Sequence, residues 1–224
     1  MNILVTGGAG FIGSVVAAQL VAAGHENVVV FDDLSKGNRC AVPQGADLVL
    51  GNVGDRAALD SVFEKHKVDA VMHFAAFIEA GESMEIPERY FRNNTANALA
   101  LLECMLAHRV RRLIFSSTAA LYGDPDRIPI LESDALRPIN AYGESKLLVE
   151  QMLEWFYRVH ALSYVSLRYF NAAGATEEQG ETHRPETHLI PTVLQVGSGM
   201  RDQVAIFGTD YKQKMGRAYA IMYM

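Results

Sequence analysis

The first thirteen residues, Met-Asn-Ile-Leu-Val-Thr-Gly-Gly-Ala-Gly-Phe-Ile-Gly, constrain the fold of this chain more than any other stretch. Ile3, Leu4 and Val5 form the short apolar run of a parallel strand covered on both faces. A glycine-rich turn follows at once. Gly7 and Gly8 allow the tight bend, Gly10 lets the backbone approach a pyrophosphate, and Gly13 lets the next helix pack close to the strand. A helix predicted over Phe11–Ala23 then aims its unpaired N–H groups and positive dipole end at bound phosphates.

A glycine pattern alone also suits a loop that only joins strand to helix, so the weight falls on what stands about twenty residues further on. There Asp32 closes a second apolar strand, Val28-Val29-Val30-Phe31. A carboxylate at that position accepts hydrogen bonds from the adenosine ribose hydroxyls and repels a 2′-phosphate. The two features together predict a dinucleotide, and NAD rather than NADP. Asp33 reinforces that preference, while Lys36 and Arg39 nearby stand against it.

Apolar strand-like runs alternate with helix-length segments along most of the chain, the pattern of a doubly wound (Rossmann) parallel α/β sheet with helices on both faces. The expected strands are Ile3–Thr6, Val28–Asp32, Asp47–Leu50, Ala70–Phe74, Leu113–Ser116 and Tyr164–Leu167. The helices between them are Phe11–Ala23, Arg56–His66, Glu88–His108 and Tyr142–His160, and in the third Leu99, Leu102 and Met105 are read as core contacts. From about Thr176 the chain turns polar, with Pro185 and Pro191 as breaks. A short helix around Thr192–Gly197 and a strand at Val204–Phe207 then begin a smaller C-terminal lobe.

With 224 residues the chain suffices for one well-buried domain and the start of a second. Its net charge of −6, without a Lys/Arg run, argues against a nucleic-acid partner. No stretch approaches the eighteen or so apolar residues of a membrane span. Cys40 and Cys104 lie far apart, and the chain opens directly on a strand, so the cytoplasm is the expected compartment. His73 ends a buried strand, and His183 and His188 lie five apart in a loop. No histidine pair has metal-ligand spacing, and no metal site is expected.

Tyr142 and Lys146 are four apart on a predicted helix and share one face. A tyrosine is a poor base at neutral pH, but a neighbouring ammonium, helped by a positive nicotinamide, favours its phenolate. Such a phenolate can take a proton from a secondary alcohol while hydride leaves the same carbon. A solvated helix face would show the same spacing. Ser116-Ser117-Thr118 adds weight, because it follows a strand and so stands at the carboxyl edge of the sheet, where ligands bind. Alone, Thr118 reads as a hydroxyl capping a local turn.

Five motifs occur in order: Thr6 to Gly13, His73-Phe74-Ala75-Ala76, Phe115 to Gly123, Tyr142-Gly143-Glu144-Ser145-Lys146, and Leu167-Arg168-Tyr169-Phe170-Asn171. Together they resemble the extended short-chain dehydrogenase/reductase family, from residue 1 to about residue 211. The resemblance implies that Thr118, Tyr142 and Lys146 are catalytic. It implies that Gly7, Gly10, Phe11, Ile12, Gly13, Asp32, Asp33, Ser35, Asn52, Val53, Phe74, Ala75, Ala76, Asn93, Tyr142, Lys146 and Tyr169 surround NAD. Thr118, Asn171, Leu189 and Phe207 would face a UDP-sugar. The implied reaction is reversible epimerisation at C4 of a UDP-hexose, UDP-glucose or UDP-galactose. Tyr142 takes the proton of the sugar 4-hydroxyl, hydride passes to NAD, the 4-keto sugar turns over, and hydride returns to its opposite face. NAD is regenerated in each cycle and should stay bound. A homodimer through helices 88–108 and 142–160 is also implied, whereas the residues by themselves allow plain packing against one sheet.

The family usually has an acidic residue near the adenine after Leu50-Gly51, and Asn52 stands there, with a side-chain carbonyl expected to accept from the adenine amine. The family also continues beyond Gly208-Thr209-Asp210-Tyr211 with arginines that grip the diphosphate. The expected division is therefore an NAD-binding domain over 1–175, a partial substrate lobe over 176–211 and a frameshifted tail over 212–224. Suitable synonymous codons for Lys214–Met224, started two bases later, encode Asp-Gly-Thr-Cys-Val-Arg-Asp-Tyr-Val-His, which resembles the family's own continuation. Impaired turnover is expected to follow. Two other readings remain: an NAD-binding protein without turnover, and a 4,6-dehydratase. The second needs an acid and a base beside the threonine, where Ala119-Ala120 stand instead.

Overall fold

A computed structural model describes residues 1–181, 186 and 188–205. Six of the seven expected strands are present: β1 (Asn2–Thr6), β2 (Asn27–Asp32), β3 (Ala46–Leu50), β4 (Ala70–His73), β5 (Arg112–Thr118) and β6 (Ser163–Tyr169). They form one parallel sheet in the order β3-β2-β1-β4-β5-β6. The order reverses between β1 and β4, and a crevice at such a switch point is where ligands enter sheets of this kind.

Helices cover both faces, so the central strands are rich in apolar residues whose side chains alternate between two cores. Leu4, Val29 and Phe31 face one core, with Leu59, Val62, Leu101, Leu102 and Met105. Ile3, Val5, Val28 and Val30 face the other, with Ala17. Helix α1 spans Phe11–Ala22, and α2 spans Arg56–His66 behind Asp55, whose carboxylate accepts from the Ala58 N–H at 3.1 Å. Helix α6 (Ala141–His160) opens behind Asn140, which accepts from the Gly143 N–H at 2.7 Å. These are N-caps of the ordinary kind, each satisfying a donor the helix cannot.

The expected helix Glu88–His108 is present over Pro87–Ala107, with a π-helical stretch inside it. Two short helices, α3 (Ala80–Glu85) and α4 (Pro87–Tyr90), lead into a π-helical stretch over Phe91–Ala96 and then α5 (Asn97–Ala107). Pro87 starts α4 at a position where its missing N–H costs nothing. Leu99 is 37% exposed and not a core contact. The buried stripe of α5 runs through Ala98, Leu101, Leu102 and Met105, the i, i+3, i+4, i+7 spacing that Leu99 misses by one position.

The chain divides into two units, Met1–Gly180 and Glu181–Met224. In the second, α7 (Leu189–Gly197) starts three residues earlier than expected, and His188 at its N-cap has Nδ1 2.9 Å from Glu186 Oε1. Of the expected strand Val204–Phe207, Val204 and Ala205 are irregular, while Phe207 lies outside the described residues, as do His183 and the whole of 212–224. No helix among the described residues is long and apolar enough to cross a membrane.

Candidate active site

The turn after β1 is built so that only glycine fits. Gly7 has φ +70°, and a Cβ there would lie 2.4 Å from the Ala75 nitrogen. At Gly13 a Cβ would lie 2.3 Å from the Gly7 carbonyl oxygen, so the helix is packed directly onto the turn. Gly10 is the N-cap of α1, and it supplies no side-chain hydrogen bond to the helix. The helix end therefore keeps backbone donors and its dipole for an anion. Phe74 and Ala75, just past β4, close the other wall, their N–H groups donating to the Thr6 carbonyl at 2.9 and 3.1 Å.

Asp32 ends β2 beside this turn and is buried, accepting from the N–H groups of Ala9 at 3.0 Å and Leu34 at 2.8 Å. Burial pushes its carboxyl above the ordinary value, and the two backbone donors work against that push. Burial acts upward on Asp33 too, but hydrogen bonds from Ser35 and Asn52 bring its carboxyl below the ordinary value. Asn52 donates to Asp33 at 2.7 Å, and its carbonyl accepts from the Gly54 N–H at 2.8 Å and from Asn97 at 3.3 Å. That carbonyl, expected to receive the adenine amine, thus has two donors within the protein. Val53 is buried in the core.

At the other end of the crevice, Thr118 ends β5, and its hydroxyl accepts from the Ala120 N–H at 3.1 Å, capping a 3₁₀ turn over Ala119–Tyr122. The same side chain also acts to lower the Tyr142 hydroxyl, so the cap and the interaction with Tyr142 coexist. Tyr142 lies in the first turn of α6, and its N–H donates to Ser83 Oγ at 3.1 Å. One turn on, the buried Lys146 donates to the Ser116 carbonyl at 2.8 Å and lies over the Phe115 ring, 4.9 Å from its centroid. Burial pushes the Lys146 ammonium down to about 7. Tyr142 is raised, first by burial and then by the Glu79 carboxylate, with Thr118 opposing both. Lys146 does not figure among the causes that act on Tyr142.

The residue that sequence reasoning misses is Asn94. Buried in the π-helical stretch, it accepts from the Phe77 N–H at 2.9 Å and from Asn93 at 3.0 Å, and donates to the Phe77 carbonyl at 2.9 Å and to Ser145 Oγ at 3.0 Å. It thus ties the loop after β4 to the helix that carries Tyr142 and Lys146. Asn93, the residue expected to face the cofactor, donates to Asn94. The run Asn93-Asn94-Thr95 inside an expected helix was the available signal, since such side chains favour local backbone partners over helix interiors. Tyr169 ends β6 in register with Thr118, and Asn171 follows exposed. Leu189 belongs to the second unit, and Phe207 lies outside the described residues.

Sequence reasoning also passes over Asp60, Cys104 and His108, which the fold brings together. Asp60 accepts from Cys104 Sγ at 3.3 Å, lies 2.9 Å from His108 Nε2, and carries the Arg56 guanidinium at 2.9 Å. The set reads as a hydrogen-bonded joint between α2 and α5.

Residues 3–220 match the model of the NAD dependent epimerase/dehydratase family. A UDP-glucose 4-epimerase of Streptococcus mutans is 50% identical over 219 residues, covering 96% of this chain and 66% of its own length. One from Streptomyces lividans is 50% identical over 209 residues, covering 93% and 63%. The crystal structure of UDP-glucose 4-epimerase from Brucella ovis in complex with NAD superposes with a TM-score of 0.89 at 46% identity, over 95% of this chain and 65% of that one. The chain thus spans about two thirds of the length of the curated relatives it matches.

Proposed function

The chain belongs to the NAD dependent epimerase/dehydratase family, and from that premise we propose that its site inverts C4 of a UDP-hexose, interconverting UDP-glucose and UDP-galactose. What supports this reading is the placement of Thr118 at the end of β5 and of Tyr142 and Lys146 one turn apart on α6, with an uncapped helix and a buried carboxylate at the ends of β1 and β2. A turn that a single Cβ would fill suits a pyrophosphate, and Asp32 beyond it suits a ribose diol. Gly7, Gly10, Phe11, Ile12 and Gly13 would hold the diphosphate of NAD, Asp32, Asp33 and Ser35 its adenosine, and Phe74, Ala75, Ala76 and Tyr169 its further half. When bound, NAD supplies an acceptor that takes a hydride from C4 and gives it back.

The chain's own residues handle the proton. The Thr118 hydroxyl would hold the sugar 4-oxygen against Tyr142, which, as a phenolate favoured by the charge of Lys146 and of a bound nicotinamide, would receive the hydroxyl proton and later return it. Lys146, whose ammonium titrates at about 7, adjusts the charge beneath that transfer. Ala119 and Ala120 beside Thr118 have no group to move a second proton, which favours epimerisation over dehydration. Asn171 would face the UDP-sugar. Residues 1–175 form the NAD-binding domain in this reading, and 176–211 belong to the substrate lobe. Trp155 and Val159, one turn apart on α6 and 63% and 65% exposed, support a homodimer through α5 and α6.

The test is to supply UDP-galactose, follow UDP-glucose, and measure bound NAD separately. Conversion is expected to fall by roughly 10²–10⁴-fold in Tyr142→Phe with NAD still bound, the usual scale for losing a general base. A near-normal rate in that variant contradicts the assignment.

A further inference from the structure

Lys36 is a cation close in sequence to Asp32, the carboxylate that would favour NAD. It stands four residues after Asp32, in the loop that folds back over the adenosine end of the crevice. That loop is anchored closely: Leu34 donates to Asp32, Asn38 donates to the Ala9 carbonyl at 2.9 Å, and a Cβ on Gly37 would lie 2.9 Å from Asp32 Oδ1. A lysine in this place is within reach of a phosphate on the 2′-oxygen that Asp32 would otherwise bind, and such a contact is how related sites accept NADP.

The structure directs Lys36 elsewhere. Its Nζ lies 2.9 Å from Glu79 Oε1, and Glu79 comes from the loop after β4, on the far side of β1. Glu79 is itself held, accepting from the Ile78 N–H at 3.2 Å and from the Tyr90 hydroxyl at 3.3 Å. The carboxylate is thus fixed, and the lysine is drawn across the glycine turn toward it.

We propose that Glu79 sets which dinucleotide the crevice accepts, by holding Lys36 in an ion pair on the β4 side and so withholding its ammonium from a 2′-phosphate. Asp32 repels that phosphate directly, and Glu79 withdraws Lys36, the nearer in sequence of the two cations, Lys36 and Arg39, that would offset the repulsion. The inference rests on the dinucleotide reading given above and adds a second determinant of NAD over NADP.

The experiment is calorimetric titration of NAD and NADP into the wild type, Glu79→Gln, and Glu79→Gln with Lys36→Ala. A partly exposed ion pair is worth little, so Glu79→Gln is expected to raise the ratio of NADP to NAD affinity about threefold to fivefold, with NAD affinity itself nearly unchanged. Adding Lys36→Ala is expected to abolish the gain. The same substitutions on an Asp32→Ser background keep NADP binding measurable. An unchanged ratio while NAD binds overturns the inference alone, as does a gain that survives Lys36→Ala, since that reflects only the lost negative charge. Failure of the wild type to bind NAD removes the dinucleotide reading, and the inference with it.

Discussion

The two ends of the crevice treat a buried charge differently. At the β2 end, Asp32 receives two backbone N–H groups, and the same bonds pin the glycine turn and the loop above it. At the β5 end, Lys146 has a single carbonyl partner and an aromatic face, and its ammonium is held only to about 7. Hydrogen bonds that oppose the cost of burial turn a charge into a fixed recognition element, whereas burial left largely unopposed leaves a group able to change its proton near neutral pH. The first suits holding a cofactor, and the second suits moving a proton.

The largest effect that would break this contrast lies in the pH dependence of stability. An unfolded lysine keeps its proton to the ordinary 10.5, and folded Lys146 keeps it only to about 7. Between those values the unfolded state binds more protons, so this group makes stability rise with pH through the window. Lys146→Met removes the slope. It should exceed the wild type below pH 7 by on the order of a few kcal/mol, the difference shrinking as pH rises. Denaturant unfolding across that range is the check, and parallel curves for the two proteins would count against a poised lysine.

A smaller effect is expected at the fixed end. Asp32→Asn loses the charged acceptor for the ribose hydroxyls and should weaken NAD binding roughly tenfold to a hundredfold, read by calorimetric titration. The smallest belongs to Asn52, whose carbonyl is already used by Gly54 and Asn97. Asn52→Ala should change NAD affinity by less than about threefold while costing about 0.5–1.5 kcal/mol of stability. A larger loss of affinity would mean that Asn52 rearranges to meet the adenine.

The sheet was legible because its central strands β1 and β2 are apolar runs buried on both faces, and the nucleotide end was legible because turn and carboxylate are local in sequence. The π-helical stretch over Phe91–Ala96 was not. Within it Asn94 meets Phe77 and Ser145, partners distant along the chain. No periodicity encodes such a bond. Leu99 failed for a related reason, since one residue of displacement on a helix separates core from solvent. For Tyr142 the spacing to Lys146 was visible, but the proton affinity of each depends on burial that only the packed helix supplies.

The central claim, that one end of the crevice holds the cofactor and the other moves the proton, is tested most directly by measuring NAD affinity and the rate of UDP-galactose conversion at saturating NAD on Asp32→Asn and Tyr142→Phe side by side. The account predicts that Asp32→Asn loses affinity and keeps its saturated rate, and that Tyr142→Phe keeps affinity within about twofold and loses roughly 10²–10⁴ in rate. Equal losses of both quantities in both variants would contradict it.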